Sequence, residues 1–280
     1  MASITDHEAE QVAKANASGR IPVVLVHGLW LLASSWERWA SLFEEAGYAA
    51  VLPGWPGDPQ TVAEARANPR ALAGKTVGRV AAHLDEVLGR LERKPALVGH
   101  SFGGLLVQLL AGEGLAEVTV AIDPAPFRGV LPLPLSALRA ASPVLVNPLN
   151  RTRAVSLSYR QFRYAFANAV SEREARELYD TFAVPAPGAP LFQAALANLN
   201  PWTELKVNSD SPARGPLLIT SGERDNTVPW AIANAAYKRQ ARNQGVTEIA
   251  EIPGRGHGLT IDGGWREVAE TVLAFVKRFT

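Results

Sequence analysis

PALVGHSFGGLLVQLLA, residues 95–111, decides how the chain folds. Its first five residues, Pro95 to Gly99, form a short apolar run of the kind that makes a strand buried on both faces. Its last ten, Phe102 to Ala111, read as a buried helix. Between them, Gly99-His100-Ser101-Phe102-Gly103 fits the pattern G-x-S-x-G. A strand that enters a helix through such a pentapeptide turns sharply, and the turn lifts the serine hydroxyl clear of the backbone. Gly99 and Gly103 carry no side chain, so strand and helix can approach closely. The serine also sits at a helix N-terminus, where the dipole favours negative charge. Serine is also favoured there as a plain N-cap, so its chemistry depends on partners elsewhere in the chain.

Outward from this stretch, strands and helices alternate. Ile21–Val26, Tyr48–Leu52, Val118–Ile122, Pro216–Gly222 and Thr247–Ile252 predict five further strands, making about six. Trp36, Trp39, Phe43 and Ala46 fall near helical spacing, and Val77, Val80, Leu84, Val87 and Leu91 trace one face of a second helix. Further helices are expected near Pro229–Gln244 and over Trp265–Val276. This alternation predicts an α/β fold, a mostly parallel doubly wound sheet covered on both faces. Right-handed crossovers put the strand C-termini along one edge, where ligands of such sheets bind.

One stretch breaks the rhythm. About 90 residues separate Pro126 from Pro216, far beyond an ordinary connection. Helical patterns at Tyr159–Ala169, Ser171–Phe182 and Leu191–Leu199, divided by prolines, predict a helical cap over residues 127–214. The alternative is an ordinary crossover with surface decoration. The core would then be residues 21–126 and 215–280, behind a polar N-terminal segment, 1–20. The cap is rich in rings, among them Phe127, Phe162, Phe166, Tyr179 and Trp202, which at such spacing more often pack with each other than touch a ligand.

The residues at the strand ends can supply partners for Ser101. A serine hydroxyl needs a base to take its proton, and His257 is the only histidine downstream. It lies in a glycine-rich loop, Gly254-Arg255-Gly256-His257-Gly258, between the last strand and the last helix. The imidazole in turn needs an acid to fix its tautomer. Asp225, in GERDNTVP directly after a strand, is the first candidate. Asp123 ends the strand next to the elbow and is its rival; Glu223 is a weaker one, expected to face solvent. Asp225 is preferred because its flanking G-x-x-D-x-x-V-P pattern is fuller. His27 and His100 are read as structural, bonded to backbone near the elbow.

Together VLVHGLW, LVGHSFGG, GERDNTVP and GRGHGLT resemble the α/β-hydrolase superfamily, over the chain from about Ile21 to its end. The HG-x-W segment and the elbow are similar to the serine esterase and hydroxynitrile-lyase-like branch. The resemblance implies an α/β-hydrolase fold with an inserted helical cap, a Ser101–Asp225–His257 catalytic triad, an acyl-enzyme intermediate and no cofactor. The chain order Ser, Asp, His is the one expected for this fold. It further implies an oxyanion hole from the backbone N–H groups of Leu29 and Phe102. Gly28, Trp30, Val228 and Leu259 flank these positions and are expected to line the substrate pocket. The expected reaction is cleavage of a carboxylic ester, thioester, amide or lactone of a small, mostly apolar substrate. A cyanohydrin lyase is the alternative, but the added lysine that the plant lyases carry beyond the acid has no match at Asn226-Thr227-Val228-Pro229, and Lys238 is too far along its helix. A non-catalytic ligand-binding member of the fold is the third reading.

Composition is consistent with this picture. The 280 residues are 47% apolar and 20% charged, with a formal net charge of +1, as in an ordinary globular protein. Such a balance offers no single-sign field for nucleic acid or a membrane, so the expected partner is a small molecule alone. The chain has no cysteine, and its five histidines form no close helical pair, so no metal site is expected. The first twenty residues lack an apolar signal region and no apolar run nears the roughly 18 residues of a membrane span, which predicts a soluble, cytoplasmic protein.

Overall fold

The computed structural model describes residues 4–280. Alternating valines and leucines build its central sheet. In chain order the first part comprises α1 (Asp6–Ser18), β1 (Pro22–Val26), α2 (Glu37–Glu45), β2 (Ala49–Val51), α3 (Val62–Ala67), α4 (Val77–Leu88), β3 (Ala96–His100), α5 (Phe102–Gly112) and β4 (Val118–Ile122). A long excursion follows: α6 (Leu135–Leu145), β5 (Ala154–Val155), α7 (Tyr159–Ala165), α8 (Glu172–Phe182), β6 (Ala186–Pro187) and α9 (Ala189–Leu196). The chain then returns through β7 (Leu217–Gly222), α10 (Trp230–Gln240), β8 (Thr247–Ile252) and α11 (Trp265–Lys277).

Six strands form one sheet in the order β2-β1-β3-β4-β7-β8, with every neighbouring pair parallel. This is the expected fold, the α/β-hydrolase arrangement. Side chains alternate across it: Val24, Val26 and Leu97 face one core with α4 and α5, while Val23, Leu25 and Val98 face the other with α2 and α11. Each such fully buried side chain contributes about 1.5–3 kcal/mol over its exposed state. The order reverses between β1 and β3, because the chain first moves outward to β2 and then crosses back. Their C-terminal ends open the crevice where ligands of open sheets bind, and Gly28 and Ser101 sit there.

Beyond the short α3 and the two-residue strands β5 and β6, two larger elements depart from the reading of the sequence. The polar N-terminal stretch is a helix. Thr5 caps it in a capping box with Glu8, a T-x-x-E signature present in the sequence. Its apolar stripe is narrow, with Val12 and Ala15 buried. Glu8 is buried too, and its Oε1 lies 2.8 Å from His83 Nε2 on α4. The second is α6, hidden from pattern reading by Pro132, Pro134 and the internal Pro143.

Beneath the β1 loop lies a buried polar cluster. Lys75 pairs with Asp58, and the other Asp58 oxygen is 3.1 Å from His27 Nε2. Burial pushes the Asp58 carboxyl up, but His27 and Lys75 hold it below the ordinary carboxylate range. Lys75→Met would strand that carboxylate. It is expected to cost about 3–5 kcal/mol, read from denaturant unfolding at neutral pH.

Candidate active site

The strand–turn–helix at 96–112 strains its own apex. Ser101 sits at φ 57°, ψ −119°. Among the described residues only Trp30, Ser101 and Asp123 combine a side chain with positive φ. All three stand at the C-terminal edge of the sheet, after β1, β3 and β4. Strain of this kind persists only where the surroundings enforce it, and it clusters at functional sites. Gly103 shows the enforcement: a Cβ there would stand 2.1 Å from the carbonyl oxygen of Val26. Only glycine lets α5 start this close to β1.

Three side chains from three strand ends meet. His257 Nε2 lies 3.0 Å from Ser101 Oγ, and His257 Nδ1 lies 2.6 Å from Asp225 Oδ2. The other Asp225 oxygen accepts from the backbone N–H groups of Thr227 at 2.6 Å and Val228 at 2.9 Å. Burial raises the Asp225 carboxyl, but the His257 charge and hydrogen bond and the Val228 amide bring it below its usual range. It is therefore an anion aimed at Nδ1.

Asp123, the rival, is fully buried but stands farther off, with Oδ2 3.8 Å from His257 Nδ1. Its Oδ1 accepts from the Gly222 N–H at 2.9 Å, which ties β4 to β7. Burial and the neighbouring Asp225 charge push its carboxyl well above the ordinary range. Of two carboxyls this close, one is held neutral. Glu223 is exposed, and its Oε2 accepts from the Gly254 N–H.

The sheet edge thus brings together a strained serine, an acid and a histidine in that chain order, and residues 23–271 match the alpha/beta hydrolase family model. The chain belongs to the alpha/beta hydrolase family. Solved structures of hydrolases share its fold. A monoacylglycerol lipase from Paleococcus ferrophilus superposes with TM-score 0.64 at 19% identity, covering 92% of this chain and 95% of that one. An extracellular alpha/beta-hydrolase from a Paenibacillus species gives 0.65 at 20%, covering 91% and 98%. Polyneuridine aldehyde esterase gives 0.65 at 19%, also covering 91% and 98%.

The rest of the site is built from the loops at this same edge. A Cβ on Gly28 would stand 2.8 Å from Ser101 Cβ and 3.3 Å from the Phe102 nitrogen, so the loop carrying Leu29 lies against the turn carrying Phe102. Among the described residues neither the Leu29 nor the Phe102 N–H donates to another protein group. His27 Nδ1 lies 2.9 Å from the Gly28 carbonyl and His100 Nε2 2.8 Å from the His257 carbonyl. Burial and the adjacent His257 hold His100 well below the usual imidazole range, so it is neutral and braces the histidine loop. His100, Asp123 and His257 offer ligand atoms within 4.8 Å of one another. However, both ring nitrogens of His257 are engaged by Asp225 and Ser101, which leaves the cluster short of a ligand.

An apolar cavity of about 160 Å³ opens above Ser101. Trp30, Phe102 and Val228 line it, as do Ala125 and Pro126 after β4. Its roof comes from α6 and α9, notably Leu138, Ala141, Leu145 and Leu191. Sequence reading missed the α6 contribution because it missed the helix. Leu259 is a correction: it is fully buried in the opposite core with Val268 and Val272. The chain turns down after His257, where the Gly258 N–H donates to the Phe166 carbonyl at 2.8 Å, and Leu259 drops beneath the sheet. Gly28 abuts the elbow but does not reach the cavity wall.

The segment over the site is latched to the loops that carry Asp225 and His257. Thr227 Oγ1 donates to the Ala165 carbonyl, and the side-chain amide of Asn226 donates to that of Tyr164. Phe162 stacks on Phe166, which meets the His257 ring edge-on at 5.0 Å. None of the aromatic side chains of residues 127–214 lines the cavity. No described helix is long and apolar enough to cross a membrane.

Proposed function

We propose that the chain is a serine hydrolase that cleaves a small, mostly apolar carboxylic ester through an acyl-enzyme on Ser101. One observation carries this reading: a continuous line of contacts, Asp225 to His257 to Ser101, ending at the floor of an apolar cavity. Residues 127–214 act as a cap that supplies the roof.

The steps follow from the geometry. Ser101 Oγ attacks the ester carbonyl while His257 Nε2 takes its proton. Asp225 holds Nδ1–H in place and stabilises the imidazolium that forms. The unengaged Leu29 and Phe102 amides receive the oxyanion, a contribution of about 2.7–4 kcal/mol per donor in comparable sites. Nε2–H then protonates the departing alkoxide. Water entering the same position repeats the sequence and frees the acid.

Cavity size points to the substrate. A dry apolar cavity of about 150 Å³ accommodates a benzene-sized guest, so a short acyl group or a single ring fits here. The names of the fold neighbours, a lipase and an esterase, agree with ester chemistry. Cyanohydrin cleavage would instead expel cyanide, yet no charged side chain lines the cavity and Lys238 is exposed on α10. Purified protein is expected to hydrolyse p-nitrophenyl acetate and to release no cyanide from mandelonitrile above the buffer rate. Cyanide release without ester turnover would reverse the assignment.

A further inference from the structure

The outer face of the helical segment has two properties that its interior does not require. It exposes large apolar side chains: Leu131, Leu133, Leu135, Leu199 and Trp202 are each at least 67% exposed. These belong to one region, because the Gly129 N–H donates to Asn198 Oδ1 and the Asn198 side-chain amide donates to the Val130 carbonyl. The loop before α6 and the chain after α9 are thereby joined. Soluble surfaces scatter single leucines, whereas a continuous group of this size marks a contact surface.

The second property is charge. Residues 124–171 contain six arginines, at 128, 139, 151, 153, 160 and 163, and no aspartate or glutamate. Only Arg163 has a carboxylate partner, Glu172, among the described residues. Arg139 and Arg160 line a surface cleft of about 240 Å³ with Ser142, Gln161 and Tyr164, and no acidic group faces it. Arg139 lies over the Tyr164 ring, with Cζ 4.1 Å from its centroid, which leaves the planar fork free at its edge. Such a cleft suits a phosphate group.

α6 separates the two cavities. Ala137, Leu138, Ala141 and Leu145 line the catalytic cavity, while Arg139, Ser142 and Pro143 line the cationic cleft. Leu135 and Arg139, four residues apart, share one helical face. Apolar side chains flanked by arginines on one face are what a helix lying in a lipid interface carries. We propose that this face docks on an anionic lipid surface, with phosphate headgroups against Arg139 and Arg160 and the leucines in the acyl region. The pocket mouth, rimmed by Leu133 and Leu138, would then open toward the lipid. That last step rests on the ester-hydrolase reading, whereas the docking itself does not. It also reverses the expectation of no membrane partner, since a net charge of +1 hid a segment with no acidic residue. A second copy of the chain is a poorer occupant: it would press two sets of unpaired arginines together.

The test is co-sedimentation with vesicles of phosphatidylcholine alone and of phosphatidylcholine mixed with phosphatidylglycerol. Wild type is expected to bind the anionic vesicles at least about tenfold more tightly. Leu131→Glu/Leu135→Glu and Arg139→Glu/Arg160→Glu are each expected to weaken that binding about tenfold or more. None of these four residues lines the catalytic cavity, so turnover of soluble p-nitrophenyl acetate should stay within about twofold, which also shows that both variants fold. Absence of wild-type binding, or binding unchanged in both variants, would overturn the docking. So would a wild-type dimer in solution that Leu131→Glu/Leu135→Glu makes monomeric. Vesicle binding without any ester turnover would instead overturn the ester reading and leave the docking standing.

Discussion

Ser101→Ala is expected to lower kcat on p-nitrophenyl acetate by about 10⁶-fold, as loss of the nucleophile does in a serine protease whose triad acts as a unit. The size follows from the chemistry. Without Oγ no acyl-enzyme forms, and His257, left with Asp225 at 2.6 Å, can only assist a direct attack by water. KM should change little, because the cavity walls remain. The fold should be unaffected as well, since Ser101 makes no side-chain cap bond to α5. Steady-state kinetics with a check of the unfolding midpoint is sufficient. A loss below about a hundredfold would mean that another group performs the attack.

Asp225→Asn is the second large effect, expected to cost about 10⁴-fold in kcat, as the equivalent change does in a serine protease triad. Asparagine can still accept from the Thr227 and Val228 amides, so the loop should hold. What is lost is the anion that fixes the His257 tautomer and stabilises its charged form. Asp123→Asn is the control. Its carboxyl is held neutral and sits 3.8 Å from Nδ1, so the change should cost no more than about tenfold, the scale of one ordinary hydrogen bond. If Asp123→Asn were the costlier of the two, the acid would lie one strand nearer the elbow.

The sheet and the site were legible in the sequence to different degrees. Runs such as Pro22–Val26 and Val118–Ile122 are buried on both faces, so composition alone marks them as strands. Ser101, Asp225 and His257 could be singled out as candidates because each lies within a few residues of a strand end and glycine or proline punctuates each loop. What stayed hidden has physical reasons. The helix over Asp6–Ser18 buries too little apolar surface to show a strong period, and only its capping box betrays it. Prolines mask α6, and with it the roof of the cavity. Leu259 follows His257 closely in sequence, but the turn at Gly258 sends it to the opposite core. The difference between Asp225 and Asp123 as partners of His257, 2.6 against 3.8 Å, is a matter of loop geometry that local sequence does not encode.

The central claim, that Ser101 attacks and carries the acyl group, is tested most directly by titrating the protein with a fluorophosphonate. Ester turnover would be followed alongside, and the label mapped by peptide mass spectrometry. One phosphonyl group per chain is expected on the peptide containing Ser101, with p-nitrophenyl acetate turnover falling in proportion to labelling. Full turnover in the labelled protein, or a label on any other residue tracking the loss of activity, would contradict it.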